Sequence, residues 1–250
     1  MSQWHARKGL LALALMAAGA ANAAAVYTET EWSSVVNAGT AIVPTPGTTS
    51  SFSLSNAGHP GAALQFNTSV TVAANGSNAS TGVAFSPNVA HDGAAAPVQM
   101  LSWSVDALWT GATSTGHQSF LIGQQTGGVT QLFVYQAPVS GLQQGVWHTT
   151  ESADLEAADF VLVDLLTGEL DAALHPDFSA AMVFGFGTGL TVVNNSNSAE
   201  TVTATIRYDN FTVTVTPLAP PNPNAVPLPA TWMLLAAGLL AAARARRARH

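Results

Sequence analysis

Seven carboxylates cluster in one stretch of the sequence, and paired carboxylates are the groups that hydrolyse glycosidic bonds. They are Glu151, Asp154, Glu156, Asp159, Asp164, Glu169 and Asp171. Retaining glycosidases hold two carboxyl groups about 5 Å apart, which alternate positions on one strand can provide. However, odd and even positions are mixed among Glu151, Asp154 and Glu156, so they would not all face the same side of a strand. The segment Glu169-Leu170-Asp171 follows Gly168 in a predicted turn. We therefore expect these carboxylates to be solvated and predict no catalytic residue among them.

Asp209 and Asn210 offer the oxygen ligands that calcium prefers. Apolar residues occupy even positions up to Tyr208 and odd positions from Phe211 onward, so the alternation changes phase between them. This predicts a bulge or bend, because a regular strand would turn its hydrophobic side chains to solvent. Asp209 and Asn210 are accordingly candidate ligands of a structural calcium ion. The alternative is a bulge in which both side chains cap their own backbone. Further calcium ligands would come from the first strand: Glu29 or Glu31.

Tryptophan rings could stack against sugar rings, and the body of the chain has four: Trp32, Trp103, Trp109 and Trp147. Trp103 shares the apolar phase of the alternating segment 101–106, so we predict that it lies in the core. Trp109 precedes Thr110-Gly111 at a predicted strand end and is our candidate for an exposed, glycan-binding ring.

Other catalytic or metal-binding patterns are not evident in the sequence. The histidines of the body lack the spacing of zinc ligands: His59, His91, His117, His148 and His175. A Gly-x-Ser-x-Gly nucleophile elbow does not occur. We predict no cofactor other than the calcium ion considered above.

The charge distribution excludes one class of partner. Of the seven basic residues in the 250-residue chain, Arg207 alone falls between residues 26 and 216. That segment holds one arginine against fourteen carboxylates, a net charge near −13. Nucleic-acid affinity comes mostly from Lys and Arg that neutralise phosphates, so we exclude nucleic acid, and an anionic membrane surface, as partners. The absence of cysteine excludes disulfides and thiolate metal sites.

The sequence pattern of the segments that must position these residues repeats every two residues. Apolar and polar residues alternate through segments broken by Gly, Asn, Ser and Pro, for example at 101–106, 182–186 and 201–208. This pattern predicts an all-β fold, a single antiparallel β-sandwich over residues 26–216. For Glu151 to Leu166 we favour a loop leading into a strand at Phe160 to Leu165. A partly helical segment is the alternative.

Residues 1–25 fit a secretory signal peptide. His5, Arg7 and Lys8 form a positive region, Leu10 to Ala18 is a short apolar helix, and Ala21-Asn22-Ala23 is a cleavage pattern, with Ala23-Ala24-Ala25 as a second option. A membrane anchor is the alternative, but the apolar run is shorter than the roughly 20 residues of a span. We therefore predict a protein exported across the inner membrane.

The C-terminal end has its own ordered pattern. A Pro-rich spacer, residues 217–225, precedes a signal-like segment, residues 226–250. The segment contains the motif Val226, Pro227, Leu228, Pro229 and Ala230, an apolar helix from Trp232 to Ala243, and the basic residues Arg244, Arg246, Arg247 and Arg249. It resembles the bacterial PEP-CTERM sorting signal in its VPLPA-CTERM variant, and departs from the commonest form at Leu228, where Glu is usual.

This resemblance implies an exosortase-type transpeptidase as a partner. The arginines would stay cytoplasmic while the helix inserts transiently in the membrane and presents the Pro motif at its outer face. A plain transmembrane anchor is one alternative. A sortase signal is another, although Trp232 stands where the sortase motif needs Gly. After C-terminal processing the protein would reside at the cell surface or outside the cell.

The region from Gly145 onward resembles jelly-roll, or concanavalin-like, domains of lectins and carbohydrate-binding proteins. The similar pieces are Gly145-Val146-Trp147-His148, His175-Pro176-Asp177-Phe178-Ser179, Phe184-Gly185-Phe186 and Tyr208-Asp209-Asn210-Phe211-Thr212-Val213. The resemblance implies the fold more than the function. From the sorting signal and the lack of a catalytic pattern we expect a structural or adhesive, non-enzymatic protein of the extracellular matrix, with weak glycan binding and exopolysaccharide as a partner. A glycan-active hydrolase or lyase on the same scaffold is the alternative.

Overall fold

The computed structural model describes residues 23–30, 32, 39–40, 46–111, 115–137, 144–164 and 167–219. These residues form thirteen strands and one short 3-10 helix at Ala157–Asp159. The strands are β1 (Ala25–Glu29), β2 (Gly39–Thr40), β3 (Thr48–Gly58), β4 (Gly61–Val72), β5 (Gly76–Asp92), β6 (Val98–Gly111), β7 (Thr115–Thr126), β8 (Val129–Ala137), β9 (Trp147–Leu155), β10 (Val161–Val163), β11 (Leu170–Asp171), β12 (Ala181–Asn194) and β13 (Glu200–Pro217). No helix in these ranges is long and apolar enough to span a bilayer.

The strands form two antiparallel sheets, which confirms the predicted β-sandwich. The front sheet has the order β3-β4-β13-β6-β9, with β1 also paired to β13. The back sheet has the order β11-β10-β8-β7-β12-β5-β2. Alternate side chains of both sheets meet in one core, as the period of two requires. The two helices predicted at the chain ends lie outside the described residues.

Aromatic rings fill much of this core. Trp103 of the front sheet stacks on Phe120 of the back sheet with ring centroids 5.4 Å apart. Phe186 and Tyr208 pack across the same gap at 4.5 Å. Each fully buried ring of this kind contributes about 2–3 kcal/mol through burial. The predicted core position of Trp103 is therefore confirmed, and Phe184 and Phe186 are buried in the same core.

Strand β13 changes partners halfway along its length. Residues 200–208 pair with β4, whereas residues 211–215 pair with β1. The register with β6 shifts between Asp209 and Thr212, and Asn210 has a positive φ of 50°. The bulge lets Tyr208 and Phe211 both face the core although they are three residues apart. The bulge predicted from the change of apolar phase is thus confirmed.

Strand β1 is fixed to both sheets. It pairs with β13 from Ala25 opposite Val215 to Glu29 opposite Phe211. On its inner side, Tyr27 Oη lies 2.9 Å from His91 Nδ1. The buried Glu29 accepts hydrogen bonds from Ser86 Oγ at 2.7 Å and Asn88 Nδ2 at 2.9 Å, both on β5. Side-chain hydrogen bonds therefore connect β1 of the front sheet to β5 of the back sheet.

The segment from Glu151 differs in part from its prediction. Residues 151–155 belong to the edge strand β9, not to a loop, whereas the predicted strand after Phe160 is present as β10. An edge strand with one face in solvent needs few apolar residues. Thr150 and Leu155 alone are buried in β9, and the charged side chains between them point outward. This sparse apolar pattern is why the segment resembled a loop.

Candidate functional site

The outer face of the front sheet, hereafter the front face, brings together side chains from four strands. Gln65 of β4 pairs with Arg207 of β13, Arg207 with Leu108 of β6, and Leu108 with Trp147 of β9. All four residues are half-buried and alternate with core residues along their strands. They form one row across the sheet, in which strand spacing places the Cα atoms of Arg207 and Trp147 about 10 Å apart.

An aromatic platform stands at one end of this row. The imidazole of His59, in the turn between β3 and β4, stacks on the indole of Trp147 with centroids 5.5 Å apart and planes 16° from parallel. The His59 side chain is 62% exposed. Strand β9 orients Trp147 outward because Thr150, three residues later, faces the core. The His59–Trp147 platform thus offers a flat apolar surface with polar edges.

Asp106 fixes the platform from the neighbouring row of the sheet. Its Oδ1 accepts a hydrogen bond from Thr149 Oγ1 at 2.6 Å, and its Oδ2 accepts one from Asn210 Nδ2 at 2.7 Å. His59 Nδ1 lies 3.8 Å from the same Oδ2. Asn210 Nδ2 also donates to the backbone oxygen of His59 at 2.6 Å. A hydrogen bond from Asn210 and the nearby Asp106 carboxylate therefore hold His59 over Trp147.

Asp209 lies beside Asp106 but is completely buried beneath the turn that carries His59. Its Oδ2 accepts a hydrogen bond from the backbone N–H of His59, and its Oδ1 accepts one from the N–H of Asn210 at 2.8 Å. Burial raises the pKa of the Asp209 carboxyl, while these two hydrogen bonds act in the opposite direction. A buried carboxylate in this position can hold the turn but cannot contact a ligand.

Arg207 is oriented by a chain of side-chain hydrogen bonds. Its Nε donates to Gln65 Oε1 at 3.1 Å, and Gln65 Nε2 donates to Asn67 Oδ1 at 2.9 Å. Thr205 Oγ1 donates to the same Asn67 oxygen at 3.1 Å. Within the described ranges no carboxylate forms an ion pair with Arg207, and its two terminal amino groups make no hydrogen bond.

Two shallow polar grooves flank the row. One, of about 460 Å³, is lined on β6, β9 and β13 by Ser102, Ser104, Glu151, Ala153, Thr212 and Thr214. The other, of about 390 Å³, is lined on β3, β4 and β13 mainly by Ser51, Asn67, Ser69, Thr203 and Thr205. Serine and threonine supply most of the lining residues of both grooves, joined by Glu151 in the first and Asn67 in the second. Such groups can donate and accept hydrogen bonds with a polyhydroxylated ligand.

The ring chosen from the sequence is not the exposed one. Trp109 is 7% exposed and belongs to the core, so the expectation that it offers a ring face to solvent is wrong. The reason is that β6 does not end before Thr110 but continues to Gly111. Trp109 therefore keeps the inward parity of Trp103. Trp147 was the better choice, since it shares parity with Thr149 and Glu151, which face solvent.

Of the residues expected to bind calcium, Asp209 and Asn210 adjoin Asp106 on β6. Each of the four carboxylate oxygens of Asp106 and Asp209 accepts a hydrogen bond from a protein donor. Glu29 is bonded to β5, and Glu31 lies outside the described residues. Within the described ranges, no three His, Asp or Glu side chains form a metal-binding group. Calcium binding at this position stays a prediction.

The other sequence candidates lie apart from the front face or outside the described residues. The carboxylates from Glu151 to Asp171 are all exposed, and of these Glu151 alone lines a front-face groove. The predicted signal peptide up to residue 22 and the predicted sorting motif at 226–230 with its arginines lie outside the described residues.

No known family model matches the chain, and no curated protein resembles it significantly. Among solved structures, the chain is similar to the carbohydrate-binding module CtCBM11, with 15% identity, a TM-score of 0.42, and coverage of 78% of this chain and 98% of that one. It is also similar to an endo-β-1,4-glucuronan lyase from the fungus Trichoderma reesei, with 12% identity and a TM-score of 0.32; the match covers 66% of this chain and 86% of that one. A third similar structure is winged bean acidic lectin with bound methyl-α-D-galactose, with 9% identity and a TM-score of 0.34; the match covers 79% of this chain and 100% of that one.

Proposed function

We propose that this chain is a non-catalytic glycan-binding protein, exported and sorted to the cell surface or extracellular matrix. The observation that carries the binding proposal is the His59–Trp147 platform beside two grooves lined with hydroxyl and amide groups. A sugar ring has apolar faces and a polar rim. It would stack on the platform while its hydroxyl groups exchange hydrogen bonds with the grooves.

Binding is favoured over hydrolysis by the state of the carboxylates. A glycosidase needs two carboxyl groups that reach the scissile bond. Asp106 and Asp209 are neighbours on the front face, but Asp209 is fully buried and both its oxygens are bonded to backbone N–H groups. The arrangement therefore supports a binding surface rather than the paired carboxylates of a glycoside hydrolase.

The export and sorting part of the proposal is supported by the chain ends. The leader pattern of residues 1–25 and the ordered Pro motif, apolar run and arginines of residues 226–250 fit a protein that leaves the cytoplasm and is processed by an exosortase-type enzyme. Exopolysaccharide would then be the glycan within reach of the front face.

Affinity electrophoresis against a panel of soluble polysaccharides tests the binding proposal. The full-length protein should be retarded by at least one polysaccharide, and Trp147→Ala should weaken that binding about tenfold or more. Val146→Ala is the matched control, because Val146 is exposed and adjacent but lies outside the platform. Thermal melts check that each variant is folded. No retardation by any polysaccharide, or equal retardation of Trp147→Ala and the parent protein, would refute the proposal.

A further inference from the structure

We propose that Arg207 binds an anionic substituent of the glycan, so that the front face selects a polysaccharide with isolated carboxylate groups. This inference rests on the proposed glycan binding. Arg207 is the only basic residue between residues 26 and 216, and it lies in the same row as Trp147. A single cation on the proposed ligand surface of an otherwise acidic body is placed where it can contact the ligand.

The hydrogen-bond network leaves the charged end of Arg207 available. Gln65 accepts a hydrogen bond from the Nε atom and donates one to Asn67, which also accepts one from Thr205. The two terminal amino groups remain without an acceptor within the described residues. These groups form the planar fork that matches a carboxylate with two parallel hydrogen bonds. Since Nε is already fixed, less side-chain entropy would be lost when a carboxylate binds.

The charge of the body limits the kind of anionic polymer that fits. With a net charge near −13 and one arginine, the domain cannot neutralise a densely charged chain. Charges beyond about 8 Å are largely screened at physiological ionic strength. One carboxylate on an otherwise neutral repeat would therefore interact mainly with Arg207. A sugar stacked on the His59–Trp147 platform and an acidic sugar further along the same polymer at Arg207 could occupy the row together, since the Cα atoms of Trp147 and Arg207 lie about 10 Å apart.

Gellan, whose repeat carries a single glucuronate, and its carboxyl-reduced form provide a matched pair of probes. The full-length protein should bind gellan about tenfold or more tightly than the reduced polymer, since a charge-assisted hydrogen bond contributes about that much. Arg207→Gln should abolish this preference, because it should lower the affinity for gellan more than the affinity for the reduced polymer. Arg207→Lys should keep part of the preference, because it retains the charge without the fork.

The control for overall charge is Thr201→Asp, an exposed position at the start of β13 that changes the net charge by the same amount. It should bind both polymers like the parent protein, and thermal melts should show that all variants are folded. Equal losses for both polymers in Arg207→Gln, or no preference in the parent protein, would overturn the role of Arg207 while leaving glycan binding intact. Failure of the parent protein to bind gellan, reduced gellan and the whole polysaccharide panel would instead refute the proposed function.

Discussion

The Oδ2 atom of Asp209 accepts a hydrogen bond from the backbone N–H of His59, a residue 150 positions earlier in the chain. Through this bond the β3–β4 turn is held over the bulge of β13. The bulge supplies both anchors, because Asn210 also donates to the His59 carbonyl oxygen. The position of the His59 ring on Trp147 thus depends on a bulge that lies in a different strand.

The fit between the turn and Asp209 predicts that Gly58 cannot be replaced freely. A Cβ at this position would lie 2.7 Å from Asp209 Oδ2 and 2.7 Å from the backbone oxygen of Gly61. We expect Gly58→Ala to lower the free energy of unfolding by about 1–3 kcal/mol. Denaturant titration measures the loss, with Ala57→Ser at the exposed neighbouring position of β3 as the control. Equal stability of the two variants would contradict this account of the turn.

Two aspartates should give opposite dependences of stability on pH. Burial raises the pKa of Asp209 above its ordinary value of 3.8, so its contribution to stability is full below that pH and is lost as the pH rises through the raised pKa. Hydrogen bonds from the hydroxyl and the N–H of Ser179 lower the pKa of Asp177. Its contribution is therefore present above pH 3.8 and is lost as the pH falls through the lowered pKa.

Denaturant titrations of the parent protein, Asp209→Asn and Asp177→Asn between about pH 2 and pH 6 test these signs. The difference in unfolding free energy between the parent and Asp209→Asn should decrease with rising pH. The corresponding difference for Asp177→Asn should increase. A difference for Asp209→Asn that stays constant over this range would show that its carboxyl group titrates equally in the folded and unfolded chains.

Trp109 and Trp147 should separate stability from binding. Trp109→Ala removes a core ring and should cost about 3–5 kcal/mol of stability. Trp147→Ala removes a half-buried ring on the front face, so it should cost clearly less stability while it weakens glycan binding. Chemical denaturation of both variants, beside the binding assay, compares the two effects. A Trp109→Ala protein as stable as the parent would contradict its placement in the core.

The two ends of the mature protein can be read by mass spectrometry of material from its native cells. Ala25 of β1 pairs with Val215 of β13. We expect cleavage after Ala23, because it leaves this pair in the mature chain. At the other end we expect the segment from Trp232 to His250 to be absent. Changing Pro227 and Pro229 to Ala should leave that segment in place. A parent protein that retains Arg249, with a variant that localises identically, would favour a plain membrane anchor.

The fold was largely predictable because alternation alone decides which side chains face the core. Tyr208 and Phe211 show this well, since their change of parity predicted a bulge that the register confirms. The site was not predictable in the same way. Alternation assigns Asp106 to the outer face, but only the pairing of three strands and a distant turn places it beside Thr149, Asn210 and His59. The register between strands that are distant in the chain cannot be predicted from the local pattern of a single sequence.

The antiparallel pairing of β1 with β13 also sets how the domain would respond to tension. Ala25 and Val215 lie opposite each other, so a force that pulls residue 25 away from residue 217 would load the hydrogen bonds of this ladder one pair at a time. Peeling would be resisted chiefly at Tyr27 and Glu29, whose side chains are bonded to the back sheet. The first strand would therefore yield before the rest. Trp147 and Arg207 would keep their places during this step, so the proposed glycan-binding surface would stay intact in a stretched molecule.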